Sequence, residues 1–137
     1  MLRRDIENEL IPQVISGKQS ILAYSPLQRG ILTGKFKPGY KFNEGDNRVS
    51  QSYYTDSNIL LINKFLDKIR PLAGEKNATL AQLVIRWTVE QPGITIALVG
   101  ARNAEQAIQN ARAMNIKLSI EEIGFINNEL KNLKLEL

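Results

Sequence analysis

Apolar side chains recur at helical spacing along much of the chain. One series shows the i, i+3 and i+4 pattern of a helix with a single buried face, namely Ile59, Ile62, Phe65, Leu66 and Ile69. Pro71 should kink or end that helix, because proline cannot donate a helical backbone hydrogen bond. An earlier helix is predicted from Arg3 to Ile15, with acidic residues near its start and Gly17 as its stop.

Three further helices are predicted from the residues that cap them. The segment Thr79–Gln82 has the form of a capping box and precedes an apolar stripe that ends at Trp87, which we therefore interpret as a core residue. Asn103 and Ser119 begin the other two helices in the same way, and the last helix should end near Leu133.

Two short apolar runs predict β-strands. The run Ser20–Tyr24 ends at a Ser-Pro turn, and the run Thr95–Val99 is closed by Gly100. Both are apolar on both faces, which is typical of buried parallel strands. Alternation of strands and helices predicts an α/β fold with βα units and a parallel sheet. Two strands leave both sheet edges unpaired, so we expect this segment to belong to something larger or to self-associate.

Composition excludes several classes of function. The 137 residues include no Cys and no His, so we expect no disulfide, no metal site and no catalysis that needs a local imidazole. The apolar runs are too short to cross a bilayer, so we expect no membrane partner. The first residues lack the apolar core of a signal peptide, and we therefore expect a cytoplasmic protein.

The positive charge is concentrated in one segment. The formal net charge is +4, and the stretch from Ser25 to Arg48 holds five cations against Glu44 and Asp46. This stretch belongs to a long, glycine-containing connection from Pro26 to Ser57, and such connections are often functional. A local basic loop favours a small polyanion over a nucleic acid, which usually meets a broader basic face. The alternative is a solvated loop with a chance charge bias.

Two segments that each follow a predicted strand carry the functional signal. Tyr24–Lys35 reads Tyr-Ser-Pro-Leu-x-x-Gly-x-Leu-Thr-Gly-Lys, and Gly100–Asn110 reads Gly-Ala-Arg-x-x-x-Gln-x-x-x-Asn. Together with the opening Leu-Arg-Arg-Asp-Ile-Glu-Asn-Glu, they resemble the corresponding segments of the aldo-keto reductase family. The resemblance covers the whole chain but only the C-terminal part of the family's domain.

This resemblance implies the C-terminal portion of a (β/α)8 TIM barrel, incomplete as a closed barrel. Residues 1–137 would form one partial domain. Residues 1–57 would supply a helix, a strand and the cofactor-binding loop, and residues 58–137 the following helices, the last strand and the C-terminal helices. In such barrels the loops after the last strands commonly bind phosphate.

The resemblance also implies an NADP(H) site. Tyr24 would stack on the nicotinamide ring, Lys35 would offer a point charge to phosphate, and Arg102 would hold the 2′-phosphate. Gln106 would support the ribose phosphate and Asn110 the adenine. The candidate cofactor-binding residues are Tyr24, Ser25, Pro26, Leu27, Gly30, Leu32, Thr33, Gly34, Lys35, Arg48, Gly100, Arg102, Gln106, Gln109 and Asn110.

Several of these candidates carry alternatives. Tyr24 has the alternative of being a core tyrosine that closes its strand, and Arg102 that of being a surface residue. Gln109 stands where family members commonly have Glu, so an adenine contact there loses its charge. Arg48 has the alternative of being an exposed loop arginine.

The family's catalytic residues are a Tyr acid, a Lys that lowers its pKa, a His and an Asp, and they lie upstream of the matched segment. We therefore assign no catalytic residue here. The expected function is the NADP(H)-binding segment of an enzyme that reduces aldehydes and ketones, inactive as this chain alone. Its partner would be a chain supplying the rest of the barrel, or a second copy. The alternatives are a non-catalytic NADP(H)-binding module and a self-associating barrel fragment without a ligand.

Overall fold

The fold is that of a computed structural model, which describes residues 1–137. The helices and strands are, in chain order, α1 (Leu10–Ser16), β1 (Ile21–Tyr24), α2 (Asp56–Glu75), α3 (Leu80–Val89), β2 (Ile94–Leu98), α4 (Ala104–Ala111) and α5 (Ile120–Asn132). Short 3-10 turns lie at Asp5–Glu7, Gln28–Thr33, Ser52–Tyr54 and Arg112–Asn115. No helix combines the length and the apolar character needed to cross a membrane.

The first predicted helix is wrong in its extent. Instead of one helix from Arg3 to Ile15, the chain forms the 3-10 turn Asp5–Glu7 and then the separate helix α1. Pro12 explains the break, because its ring nitrogen cannot donate to the carbonyl four residues earlier and proline fits only in the first turn of a helix.

Pro71 does not end the next helix. Helix α2 continues past it to Glu75, so of the two effects predicted for Pro71, a kink or an end, the end is wrong. Proline removes one backbone hydrogen bond, but Ile69, Leu72 and Ala73 on either side of it are buried in the core. Burial of these side chains stabilises the last turn more than the missing bond weakens it.

The predicted helix caps are confirmed. Thr79 Oγ1 accepts from the backbone N–H of Gln82 at 3.2 Å, and the Gln82 side chain accepts from the Thr79 N–H at 2.8 Å. Ser119 and Glu122 form the same reciprocal pair at the start of α5. Each box satisfies two N–H groups that would otherwise lack partners, which explains why these helices begin where the sequence indicates.

The two strands pair in parallel, with Leu22 opposite Ile96 and Tyr24 opposite Leu98. These four side chains share one face of the sheet and are 51%, 47%, 81% and 44% exposed, respectively. The prediction that both strands are buried on both faces is therefore wrong for this chain. The residues of the opposite face, Ile21, Ala23, Ile94 and Ala97, are less exposed. We call the more exposed face the open sheet face, defined by Leu22, Tyr24, Ile96 and Leu98.

The hydrophobic core lies on the helical side of the sheet, among α2, α3 and α5. Its fully buried side chains include Leu32, Ile62, Leu66, Ile69, Leu83, Val84 and Ile126. Trp87 is also buried and donates from Nε1 to Asn127 Oδ1 at 3.1 Å, which confirms its interpretation as a core residue. Because the core includes residues of the turn Gln28–Thr33, it also anchors the loop that follows β1.

Candidate functional site

The loop after β1 turns sharply through left-handed backbone. Ser25, Gln28 and Arg29 have φ of 55°, 45° and 53°, and Gly30 has φ of 100°. Non-glycine residues adopt this region at a cost, so surrounding contacts must hold it in place. Within the loop, the backbone N–H of Gln28 donates to the Ser25 carbonyl at 2.8 Å, and that of Gly30 donates to the Leu27 carbonyl at 2.9 Å.

Tyr54 stabilises this loop through hydrogen bonds from its side chain. Its hydroxyl lies 3.0 Å from both the Gln28 and the Arg29 carbonyl oxygens. Its ring packs edge-on against Phe36 and Phe42, with centroids 5.2 and 5.5 Å away. Burial raises the pKa of the hydroxyl, which therefore stays a neutral donor.

Arg48 also stabilises the loop after β1, through contacts with the same two aromatic rings and with the backbone of the loop. Its guanidinium lies 5.4 Å from the Phe36 ring centroid and 5.5 Å from that of Phe42, within cation–π range. Its Nη1 also donates to the Arg29 carbonyl at 3.4 Å.

Asp46 is the carboxylate partner of Arg48. Arg48 Nη2 lies 2.5 Å from Asp46 Oδ2, and its Nε lies 2.9 Å from Oδ1. The backbone N–H of Arg48 also donates to Asp46 Oδ1 at 3.0 Å. These charge-assisted hydrogen bonds lower the pKa of Asp46 from 3.8 to about 2.

A polar cleft of about 490 Å³ joins the two segments singled out in the sequence. It is lined by Arg29, Gly45, Asp46, Asn47, Arg48 and Arg102, with no apolar side chain. We call it the arginine cleft. Three arginines and one aspartate are among its lining residues, and planar guanidinium groups bind phosphate through paired hydrogen bonds.

Arg102 reaches this cleft from the loop between β2 and α4. Gln106 Oε1 accepts from the Arg102 backbone N–H at 2.9 Å, and Asn103 Oδ1 accepts from the Gln106 N–H at 2.8 Å. Asn110 Nδ2 donates to the Gly100 carbonyl at 3.2 Å. The polar side chains of α4 therefore fix the backbone of this loop, while the Arg102 guanidinium itself has no hydrogen bond or ion pair within the chain.

The other predicted residues divide by position. Tyr24, Ser25 and Pro26 line a larger cleft of about 770 Å³ along β1, which Arg29 also borders. Leu32 is fully buried, and Leu27 packs against the core. These two leucines support the loop from inside and do not line the arginine cleft.

Four further predicted residues do not line the arginine cleft. Thr33 Oγ1 donates to the Gly30 carbonyl at 2.7 Å, and Gly34 lies against α3. Lys35 is exposed. Gln109 faces α3, where its carbonyl and side-chain oxygens accept from Gln82 Nε2 at 2.8 and 3.2 Å.

Sequence reasoning missed Arg29, Asp46 and Asn47 as site residues. The local excess of cations did point to this segment, but the spacing of its residues does not show which of them face Arg102. Arg29 Nη1 donates to Asn47 Oδ1 at 2.9 Å, a contact between residues 18 positions apart that only the folded loop reveals.

Comparison with known proteins identifies the family. The model of the Aldo/keto reductase family matches residues 1–130. The chain belongs to the aldo/keto reductase family. It is 32% identical over 87% of its length to the NADH-specific methylglyoxal reductase of Escherichia coli K12. It is 30% identical over 83% of its length to a probable voltage-gated potassium channel subunit beta of Oryza sativa.

The structural comparison confirms the predicted fold. A glycerol dehydrogenase from Gluconobacter oxydans superposes with a TM-score of 0.86 at 27% identity, over 96% of this chain and 40% of that one. The chain is thus an α/β segment with the fold of the C-terminal portion of a (β/α)8 barrel. It spans 36% and 35% of the two curated relatives named above. Members of the family are oxidoreductases that use nicotinamide cofactors.

Proposed function

We propose that this chain is the NADP(H)-binding segment of an aldo-keto reductase that reduces aldehydes or ketones to alcohols. The observation that carries the proposal is the arginine cleft, in which Arg102 approaches Arg29 and Arg48 from a different loop. A 2′-phosphate distinguishes NADPH from NADH, and a cleft with three guanidinium groups and one carboxylate suits that group. The proposal includes a cytoplasmic location and no nucleic-acid partner.

Arg102 is the residue best placed to bind the 2′-phosphate. Its guanidinium is exposed and has no partner within the chain, so binding a phosphate breaks no existing ion pair. Its backbone N–H is hydrogen-bonded to Gln106 Oε1, which fixes the position of the backbone while the side chain can still change rotamer. The N-terminus of α4 directly after it adds a favourable dipole.

The nicotinamide end of the cofactor would lie near the end of β1. Tyr24 is 81% exposed, so its ring offers a free face for stacking on a flat heterocycle. When bound, the cofactor supplies the hydride. The roles of this chain's residues are then to bind and orient the cofactor, with Ser25, Leu27 and Gly30 following the diphosphate through the left-handed turn.

Calorimetric titration with NADPH and with NADH tests the proposal. We expect saturable binding that prefers NADPH, and we expect Arg102→Ala to weaken NADPH binding by about tenfold or more while changing NADH little. Arg112→Ala is the matched control, because Arg112 is also exposed but lies outside the cleft. Equal affinities for the two nucleotides, or no binding at millimolar concentration, would contradict the proposal.

A second proposal concerns the open sheet face. We propose that the remaining strands of a barrel cover this face, because the chain corresponds to only 40% of the solved dehydrogenase that it superposes on. Four apolar side chains of two paired strands form a contiguous exposed patch there, and exposed sheet edges promote pairing with further strands.

Light scattering across a concentration series tests this second proposal. For the isolated chain we expect association, which Leu22→Lys should reduce, since it places a charge in the middle of the open sheet face. Leu60→Lys, at an exposed position of α2, is the control. A monomer at all concentrations would argue against the proposal. A discrete dimer that Leu22→Lys does not alter would show that copies meet elsewhere.

A further inference from the structure

The arginine cleft contains its own anion. Asp46 lies among the lining residues with Arg29, Arg48 and Arg102, and it is the only carboxylate there. It is also within the electrostatic reach of Arg102, which contributes to its lowered pKa. The cleft therefore has a net charge of +2, from three arginines and one aspartate, where the arginines alone would give +3.

The three arginines are not equally available to a ligand. Arg48 is engaged by Asp46 through Nε and Nη2, donates from Nη1 to the Arg29 carbonyl, and packs against two aromatic rings. Arg29 has one side-chain hydrogen bond, to Asn47. Arg102 has none, and neither Arg29 nor Arg102 forms an ion pair, so these two are the cations of the cleft whose charge is not already neutralised.

We propose that Asp46 is a specificity-determining residue that weakens discrimination between phosphorylated and unphosphorylated dinucleotides in this cleft. This inference rests on the proposed function. An aspartate beside a phosphate site repels a 2′-phosphate more than the neutral ribose hydroxyl that NADH has in its place, so its charge lowers affinity for NADPH more than affinity for NADH. Asp46 acts as an internal counter-ion that keeps Arg48 in its supporting position and reduces the positive field offered to the ligand.

A variant that removes the charge and nearly keeps the side-chain shape tests this effect. Asp46→Asn keeps an oxygen that accepts from the backbone N–H of Arg48, so the loop retains that hydrogen bond. With one fewer repulsive charge at a separation of several ångströms in a solvated cleft, we expect affinity for NADPH to rise about three- to tenfold. We expect affinity for NADH to change by a smaller factor.

A second variant tests the same idea with the opposite sign. Asn47→Asp adds a carboxylate to the cleft and keeps the oxygen that accepts from Arg29 Nη1. We expect it to weaken NADPH binding by a larger factor than NADH binding. Glu44→Gln is the control for net charge, because Glu44 is exposed on the same loop but does not line the cleft.

The experiment is calorimetric titration of the wild-type protein and the three variants with NADPH and NADH, at about 50 mM and about 500 mM salt. Support requires opposite shifts in the NADPH-to-NADH affinity ratio for Asp46→Asn and Asn47→Asp, both shrinking at high salt, with no shift for Glu44→Gln. If the wild-type protein prefers NADPH but neither ratio moves, the inference about Asp46 is wrong and the proposed function stands. If the wild-type protein binds neither nucleotide, both are wrong.

A purely structural role for Asp46 has a different signature. If the aspartate only holds the loop in shape, Asp46→Asn weakens NADPH and NADH by the same factor, and that result overturns the proposal. Thermal unfolding of each variant, measured beside the titrations, shows whether the loop change has altered the fold.

Discussion

Asn58 and Glu136 lie 78 positions apart and bond to each other in both directions. Asn58 Nδ2 donates to the Glu136 carbonyl at 2.8 Å, and the Glu136 N–H donates to Asn58 Oδ1 at 2.9 Å. Asn58 Nδ2 also donates to the Ser52 carbonyl at 2.8 Å. This fully buried amide thus ties the C-terminal tail to the turn Ser52–Tyr54, which supports the loop after β1.

Replacing Asn58 should destabilise the fold. Asn58→Ala leaves two backbone carbonyls and one N–H without their partner, so we expect the free energy of unfolding to fall by about 1–3 kcal/mol. Urea denaturation measures the change. Asn128→Ala is the matched control on the exposed side of α5 and should change stability by less than about 0.5 kcal/mol. Equal effects of the two variants would show that the buried amide bonds contribute little.

Two glycines should respond to alanine in opposite directions. Gly34 has φ of +74°, and a Cβ there would lie 3.2 Å from Leu80 Cδ1, so Gly34→Ala should lower the free energy of unfolding by about 1–2 kcal/mol. Gly124 lies inside α5, where a Cβ meets nothing within 4 Å, so Gly124→Ala should raise it by about 0.5–1 kcal/mol.

A third glycine separates backbone strain from contact. Gly39 has φ of +77° with open space around it, so Gly39→Ala tests strain alone. Chemical denaturation of all three variants gives the comparison. If Gly34→Ala costs no more than Gly39→Ala, the contact with Leu80 contributes nothing.

Local features could be predicted from the sequence, because their signals lie within a few residues. The capping boxes at Thr79 and Ser119 needed only the residue three positions later, and both form as expected. Burial is different, since it depends on elements distant in the chain. Tyr24 ends an apolar strand and yet is mostly exposed. Helix α2 continues past Pro71 because burial of the neighbouring side chains outweighs the helix-breaking effect of proline.

The candidate site shows the same division. The family motifs identified both loops, and Arg102 and Arg48 do line one cleft. That Asp46 occupies this cleft beside them could not be predicted, because the loop from residue 34 to residue 51 has no regular periodicity. Its path is set by the aromatic cluster of Phe36, Phe42 and Tyr54, which only tertiary packing brings together.

The Tyr54 hydroxyl should matter for both stability and binding. Tyr54→Phe keeps the ring in the aromatic cluster but removes the donor to the Gln28 and Arg29 carbonyls, so we expect a loss of about 0.5–1.5 kcal/mol in the free energy of unfolding. Because the left-handed turn loses a support, nucleotide affinity should also fall. Urea denaturation and titration with NADPH measure the two effects.

Tyr40→Phe is the control for this change. Tyr40 belongs to the same aromatic cluster, but it is 46% exposed and its hydroxyl has no hydrogen bond within the chain. We expect both its stability and its nucleotide affinity to match the wild-type protein. A Tyr54→Phe protein that also matches the wild type would show that the loop keeps its conformation without this hydroxyl.

The Asp46–Arg48 ion pair predicts a specific dependence of stability on pH. In the folded chain the pKa of Asp46 is about 2, below its ordinary value of 3.8, so the folded state binds this proton less readily than the unfolded state. Its contribution to stability is therefore fully present above the ordinary pKa and is lost as pH falls from 3.8 through about 2.

Thermal unfolding of the wild-type protein and Asp46→Asn, from about pH 7 to about pH 2, isolates this contribution because all other carboxyl groups are shared. We expect the wild-type protein to be the more stable at neutral pH and the difference to shrink as the pH falls from 3.8 to about 2. A difference that stays constant across the range would mean that the ion pair does not form in solution.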